Sequence, residues 1–153
     1  MASLFYCFIA YIFIVIYFSD LIYGLIPDEM ILVGLVLGFI NLLGNTNSLV
    51  NGVFSGMIAS VLFLAVFLLT KQRGMGFGDV KLAFLMGLIL GWPKILVAFW
   101  FAFVVGGGVA LVLLLLRKTK LSATIALGPF LIFGLVVSAL WSDVFLRFVG
   151  VTP

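Results

Sequence analysis

The sequence predicts an all-α protein, a polytopic integral membrane bundle of about six transmembrane helices. Three observations predict it. Of 153 residues, 66% are hydrophobic and 8% charged, with a mean hydropathy of +1.47, whereas a soluble domain carries about a quarter charged residues. So little polar surface cannot coat a compact body in water. The apolar residues also fall in long runs broken by short polar punctuation, at the scale of a hydrocarbon layer crossed by about 20 helical residues. Finally, 17 glycines supply the small residues that let membrane helices approach closely.

The first apolar run covers roughly 3–19. It lacks a basic leading segment and a small-residue cleavage site, so it reads as a mature span and not as a signal peptide. The second, 29–43, follows Pro27-Asp28-Glu29, a helix start with acids where the dipole favours them. The polar stretch from Gly44 to Gly52 (GNTNSLVNG) reads as an external loop before the third run, 49–69. The fourth, 79–91, is opened by Asp79 at the end of KQRGMGFGD, and the fifth and sixth cover 95–116 and 122–146. Runs two and four are short for a full crossing, so they start or stop inside the membrane, border water-filled space or borrow loop residues. Gly34/Gly38, Gly52/Gly56 and Gly87/Gly91 have the spacing of close helix approach, and Gly106-Gly107-Gly108 marks a crossing or a kink. No polar segment is long enough to fold separately, so 1–153 is expected to form a single transmembrane domain.

Orientation follows from the basic residues, which are retained on the cytoplasmic side. Loops one, three and five or their flanks carry Lys71, Arg73, Lys81, Arg117, Lys118 and Lys120, against only Lys94 and Arg147 on the other side. Both termini are then outside. The net charge of +3 is a topology signal and implies no nucleic-acid partner, though the basic rim suits anionic lipid. Trp92 and Trp141 suit interfacial belts, and Asp143 and Arg147, spaced i, i+4, suit an exposed ion pair.

Histidine is absent and Cys7 is the only cysteine, which removes His/Cys metal sites, Ser/His/Asp triads and intrachain disulfides. No metal or cofactor is expected. The five acids are Asp20, Asp28, Glu29, Asp79 and Asp143, and by the derived topology all but Asp143 lie on the cytoplasmic side. Asp28 and Asp79 suit ordinary roles at helix starts. Asp20 does not, because it follows an almost wholly apolar run and precedes Leu21, Ile22 and Tyr23; an acid at membrane depth is costly and usually functional. Gly74, Gly76 and Gly78 alternate before Asp79, giving a backbone free to take positive φ and to approach a substrate closely. The loop lacks the G-K-[ST] ending of a phosphate-binding loop. Lys81 reads either as a cation neutralising Asp79 or as a substrate contact.

Two carboxylates brought together share a proton and titrate as a pair. The ionised member can deprotonate water while the protonated one hydrogen-bonds the scissile carbonyl. Asp20 and Asp79 are the candidates, on shared depth, shared side and the lack of other catalytic groups.

At these residues a resemblance becomes specific. Gly74-Met-Gly-Phe-Gly-Asp79-Val-Lys81-Leu82 is similar to the G-x-G-x-x-D-x-K-L signature of the type IV prepilin peptidases, a branch of the GxGD aspartyl membrane proteases. Asp20-Leu-Ile-Tyr-Gly-Leu-Ile-Pro27-Asp28 resembles the family's D-x₇-D element, and Leu127-Gly128-Pro129-Phe130-Leu131 with Gly134 resembles its G-P-F-L segment. The resemblance implies that Asp20 and Asp79 are the catalytic pair, that Gly74, Gly76, Gly78 and Lys81 form the motif loop, and that the substrate is the short basic leader of type IV pilin-like or preflagellin-like precursors. Cleavage would occur at the cytoplasmic face of the plasma (inner) membrane. Asp28 and Glu29 would meet the basic leader. Larger members carry paired C-x-x-C motifs associated with zinc and N-methylation; with Cys7 alone, peptidase activity without methyltransferase activity is expected. The alternative reading is a non-enzymatic transporter or assembly subunit in which the aspartates bind a cation or relay protons.

Overall fold

The computed structural model describes residues 2–43, 45–70, 75–116, 126–148 and 150. Six helices follow one another: α1 (Ala2–Tyr23), α2 (Asp28–Leu42), α3 (Thr46–Leu69), α4 (Phe77–Leu90), α5 (Lys94–Leu115) and α6 (Gly128–Phe148). Four of them, α1, α3, α5 and α6, are long and apolar enough to cross a membrane. The chain is a polytopic helical membrane protein. The basic residues Lys71, Arg73, Arg117, Lys118 and Lys120, and Gly74 of the motif loop, lie outside the described residues.

The short fourth helix is the centre of the bundle. It packs against α2, α3, α5 and α6, and buries Val80, Leu82, Ala83, Leu85, Met86, Gly87 and Leu88 around its whole circumference. A helix apolar on all sides belongs inside. Glycine sets how closely the neighbours come: a Cβ added at Gly87 would lie 2.5 Å from Gly56 Cα, and one at Gly52 2.7 Å from the Leu88 carbonyl oxygen. On the other flank, Gly34 and Gly38 of α2 receive Leu85 and Leu88. The G-x-x-x-G pairs of α2 and α3 therefore both face α4. Gly91 instead ends α4 at φ 68°, a left-handed conformation that suits glycine.

α1 closes the ring between α2 and α6. Its inward residues are Ile9, Ile12, Phe13, Ile16 and Asp20, a stripe at helical spacing, while Tyr6, Tyr11, Ile14 and Phe18 face outward. The last inward position is thus a carboxylate. The first helix runs past residue 19 to Tyr23, and Gly24 caps it at φ 62° with its N–H donated to the Asp20 carbonyl at 2.9 Å.

Two expectations are corrected here and a third is narrowed. The polar stretch before the third span is largely helical, because Asn45 caps α3, accepting from the N–H groups of Asn47 (3.1 Å) and Ser48 (3.2 Å). At the same end of the bundle Asn51 clamps the turn after α4, donating to the Trp92 carbonyl at 3.0 Å and accepting from the Trp92 N–H at 2.8 Å. Asp143 pairs with Lys94 of α5 at 3.0 Å instead of with Arg147, since the α5–α6 packing brings the lysine closer than the next helical turn does. The triple glycine marks a crossing at one position only: Gly106 admits the Phe130 ring of α6, while Gly107 and Gly108 face open space within a continuous α5.

Candidate active site

At the opposite end from the Asn51 clamp, the end of α1, the turn after it, the start of α4 and the approach to α6 enclose a cavity of about 640 Å³. Asp20 and Asp79 both line it. They are the buried acids among the described residues, 6% and 7% exposed, and they reach the cavity from two helices far apart in sequence.

Asp79 is held by its own helix. It is the third residue of α4, and its Oδ2 accepts the Gly76 N–H at 3.1 Å while its own N–H donates to the Gly76 carbonyl at 3.2 Å. This reach back to the residue before the helix is half of a capping box. Asp20 is held from elsewhere. Its Oδ2 accepts the N–H of Gly128 at 3.0 Å, a buried bond between residues 108 apart in sequence. Gly128 opens α6, where N–H groups have no partner within the helix. Among the described residues neither Oδ1 receives a hydrogen bond, so each carboxylate keeps one oxygen for the cavity.

Of the motif glycines, the described Gly76 and Gly78 do not take left-handed backbone. Gly76 has φ −79° and ψ 151°, which any residue adopts. Gly78, inside the first turn of α4, sits so close to the α1–α2 turn that an added Cβ would lie 3.0 Å from Ile26 Cβ. Both line the cavity.

Lys81 does not neutralise Asp79. Its Nζ is 2.6 Å from Asp28 Oδ1 and lies over the Phe77 ring at 5.3 Å from the centroid. Asp28 opens α2 and projects toward α4, so it offers the lysine a more exposed partner than the buried dyad. Lys81 and Asp28 line the aspartate cavity and also an apolar cleft of about 430 Å³ bounded by α2, α3 and α4. Glu29 is exposed and stands outside that cavity's lining. Among the described residues no three of His, Cys, Asp and Glu come together.

The sequence alone gives Gly128 no role beyond its place in the G-P-F-L segment. The available signal was Gly128-Pro129 at a helix start, where proline is favoured because its missing N–H costs nothing. What that start faces was not legible.

The sequence profile of the type IV leader peptidase family matches residues 7–111. The chain belongs to that family. Curated relatives carry the name prepilin leader peptidase/N-methyltransferase: the protein of Aeromonas hydrophila is 34% identical over 140 residues, covering 88% of this chain and 48% of the relative. That of Pseudomonas aeruginosa is 31% identical over 140 residues, with 86% and 48% covered. A more distant one from Bacillus subtilis is 26% identical over 136 residues, with 88% and 54% covered. The chain thus spans about half the length of the curated relatives it matches. No solved structure gives a significant match.

Proposed function

We propose that this chain is an aspartyl endopeptidase that removes the leader of type IV prepilin-like precursors, with Asp20 and Asp79 as its catalytic pair. The observation that carries the reading is the meeting of two buried carboxylates, from α1 and α4, on one cavity, in a chain of the leader peptidase family. The proposal covers peptide hydrolysis and not the methyl transfer that the relatives' names also print. A rival use of the acids as a proton or cation path draws no support from their arrangement, because the buried acids share one cavity and do not form a series across the bundle.

The chemistry needs one proton between the two carboxylates. The ionised member takes a proton from water as the water oxygen bonds to the scissile carbonyl carbon, and the protonated member donates to the carbonyl oxygen. As the carbon–nitrogen bond breaks, the departing amine takes a proton from the pair and a hydroxyl of the tetrahedral intermediate returns one as the carbonyl re-forms, leaving the pair with one proton again. Burial of the two carboxylates themselves strengthens the charge interactions they make.

In this reading the cavity opens at the cytoplasmic face of the plasma (inner) membrane. Lys71 and Arg73 precede α4, and Arg117, Lys118 and Lys120 precede α6, which puts the positive-inside bias at the helix starts that carry Asp79 and Gly128. Both termini are then external, and all of 1–153 serves as one peptidase domain. The test uses purified protein in lipid with a prepilin-like peptide. Asp20→Asn and Asp79→Asn should each lower cleavage about a thousandfold or more; normal cleavage by either variant overturns the assignment.

A further inference from the structure

We propose that Gly128 is the positioning residue of Asp20: its backbone N–H orients the carboxylate, and its missing side chain makes the room that carboxylate occupies. The inference rests on the reading of Asp20 as one of the catalytic pair.

The geometry supports both halves. The Gly128 N–H to Asp20 Oδ2 bond is 3.0 Å and buried, and Pro129 beside it has no N–H to compete. A Cβ built on Gly128 would stand 2.5 Å from Asp20 Oδ2, 3.1 Å from its Cγ and 3.4 Å from its Cβ. All three nearest neighbours belong to Asp20. The glycine is therefore a fit to one carboxylate and not to a helix crossing. Gly134, one helical stretch further on, is the contrast: an added Cβ there would run into the Ala98 carbonyl of α5. That packing, with the Ser138 hydroxyl donating to the Lys94 carbonyl at 2.7 Å, fixes α6 against α5. The start of α6 is thereby a rigid donor for a side chain on α1. With Oδ2 committed, the rotation of the Asp20 carboxylate is restricted, and among the described residues Oδ1 has no hydrogen-bond donor.

The test compares Gly128→Ala with Gly106→Ala in the full chain. Gly106 also faces α6, but an added Cβ there meets the movable Phe130 ring at 3.1 Å. Gly128→Ala should lower kcat about tenfold or more with KM changed less than about twofold, the scale of one hydrogen bond to a charged group. Gly106→Ala should leave both within about twofold. Equal behaviour of the two variants, or an unchanged kcat in Gly128→Ala, overturns the proposal. Should Gly128→Ala fold poorly, thermal stability in lipid decides: the loss seen beside Asp20 should shrink sharply in an Asp20→Ala background, which removes the 2.5 Å and 3.1 Å contacts. An equal loss in both backgrounds overturns the proposal. Retained cleavage by Asp20→Asn would instead strike the catalytic reading, and the stability cycle still reports on Gly128 by itself.

Discussion

The two aspartates are held in opposite ways. Asp79 is secured by the residue three positions before it, within the turn that starts its own helix; Asp20 is secured by a helix start 108 residues away. The first arrangement forms as soon as α4 does. The second exists only when α1 and α6 are packed side by side, so it depends on the assembled bundle. A site built in this way has one half written into local sequence and the other into tertiary structure.

Removing either acid should cost the most activity. In the shared-proton mechanism Asp20→Asn and Asp79→Asn fall to a common floor, and the double variant falls no further, because the groups act as a unit. The pH profile of the unaltered protein should be bell-shaped, with both limbs belonging to the pair. Single-turnover cleavage across pH measures both. A flat profile, or a double variant much worse than either single one, would mean that the acids work separately.

Next in size is a lesion at the α3–α4 crossing. Gly87→Ala would drive a Cβ to 2.5 Å from Gly56 Cα and 2.6 Å from its nitrogen, and backbone cannot step aside as a side chain can. Overpacking of this kind costs about 1–3 kcal/mol. Thermal unfolding in lipid should show it, and cleavage at low temperature should fall with the population of folded protein. A Gly87→Ala variant as stable as the parent would show that α3 and α4 are not in such close contact.

A smaller effect separates the two glycines of the motif loop. Gly78→Ala meets Ile26 Cβ at 3.0 Å, whereas Gly76→Ala finds its nearest neighbour, Asp79 Oδ2, at 3.6 Å, an ordinary contact. Gly78→Ala should cost about 1 kcal/mol and Gly76→Ala about half that or less. Cleavage should follow the same order. If Gly76 is the more sensitive, its role lies in contact with substrate and not in the fit of the loop.

The same division between local and assembled structure decides what could be read from the sequence. The four long spans are legible from apolar length, and the short α4 signalled an unusual helix, which proves to be the enclosed one. The faces are not legible. Ile9, Ile12, Phe13 and Ile16 point inward while Tyr6, Tyr11, Ile14 and Phe18 point outward, with little difference in polarity, because lipid and helix interior are similar solvents. Glycine spacing revealed close approach without naming the partner. Asp79 could be placed at a helix start from its own loop. Asp20 was conspicuous as an acid beside a long apolar run, but its bond to Gly128, like the pairing of Lys81 with Asp28, joins helices whose neighbourhood no local pattern records.

The least disruptive prediction concerns that last pair. Lys81 lines the aspartate cavity, yet its ammonium is held at 2.6 Å by Asp28, so that among the described residues no cation pairs with the buried carboxylates. The pair is partly to largely exposed, so its contribution to stability should stay below about 1 kcal/mol. Its effect on cleavage should be larger than that on stability. Asp28→Asn frees the ammonium to turn toward the dyad, where a cation would hold both carboxylates ionised and hinder the sharing of one proton. Activity should fall about threefold to tenfold in Asp28→Asn and recover when Lys81→Met is added, with thermal stability nearly unchanged throughout. If Asp28→Asn is silent while Lys81→Met alone abolishes cleavage, the lysine acts on the substrate directly, and Asp28 is only its counter-ion.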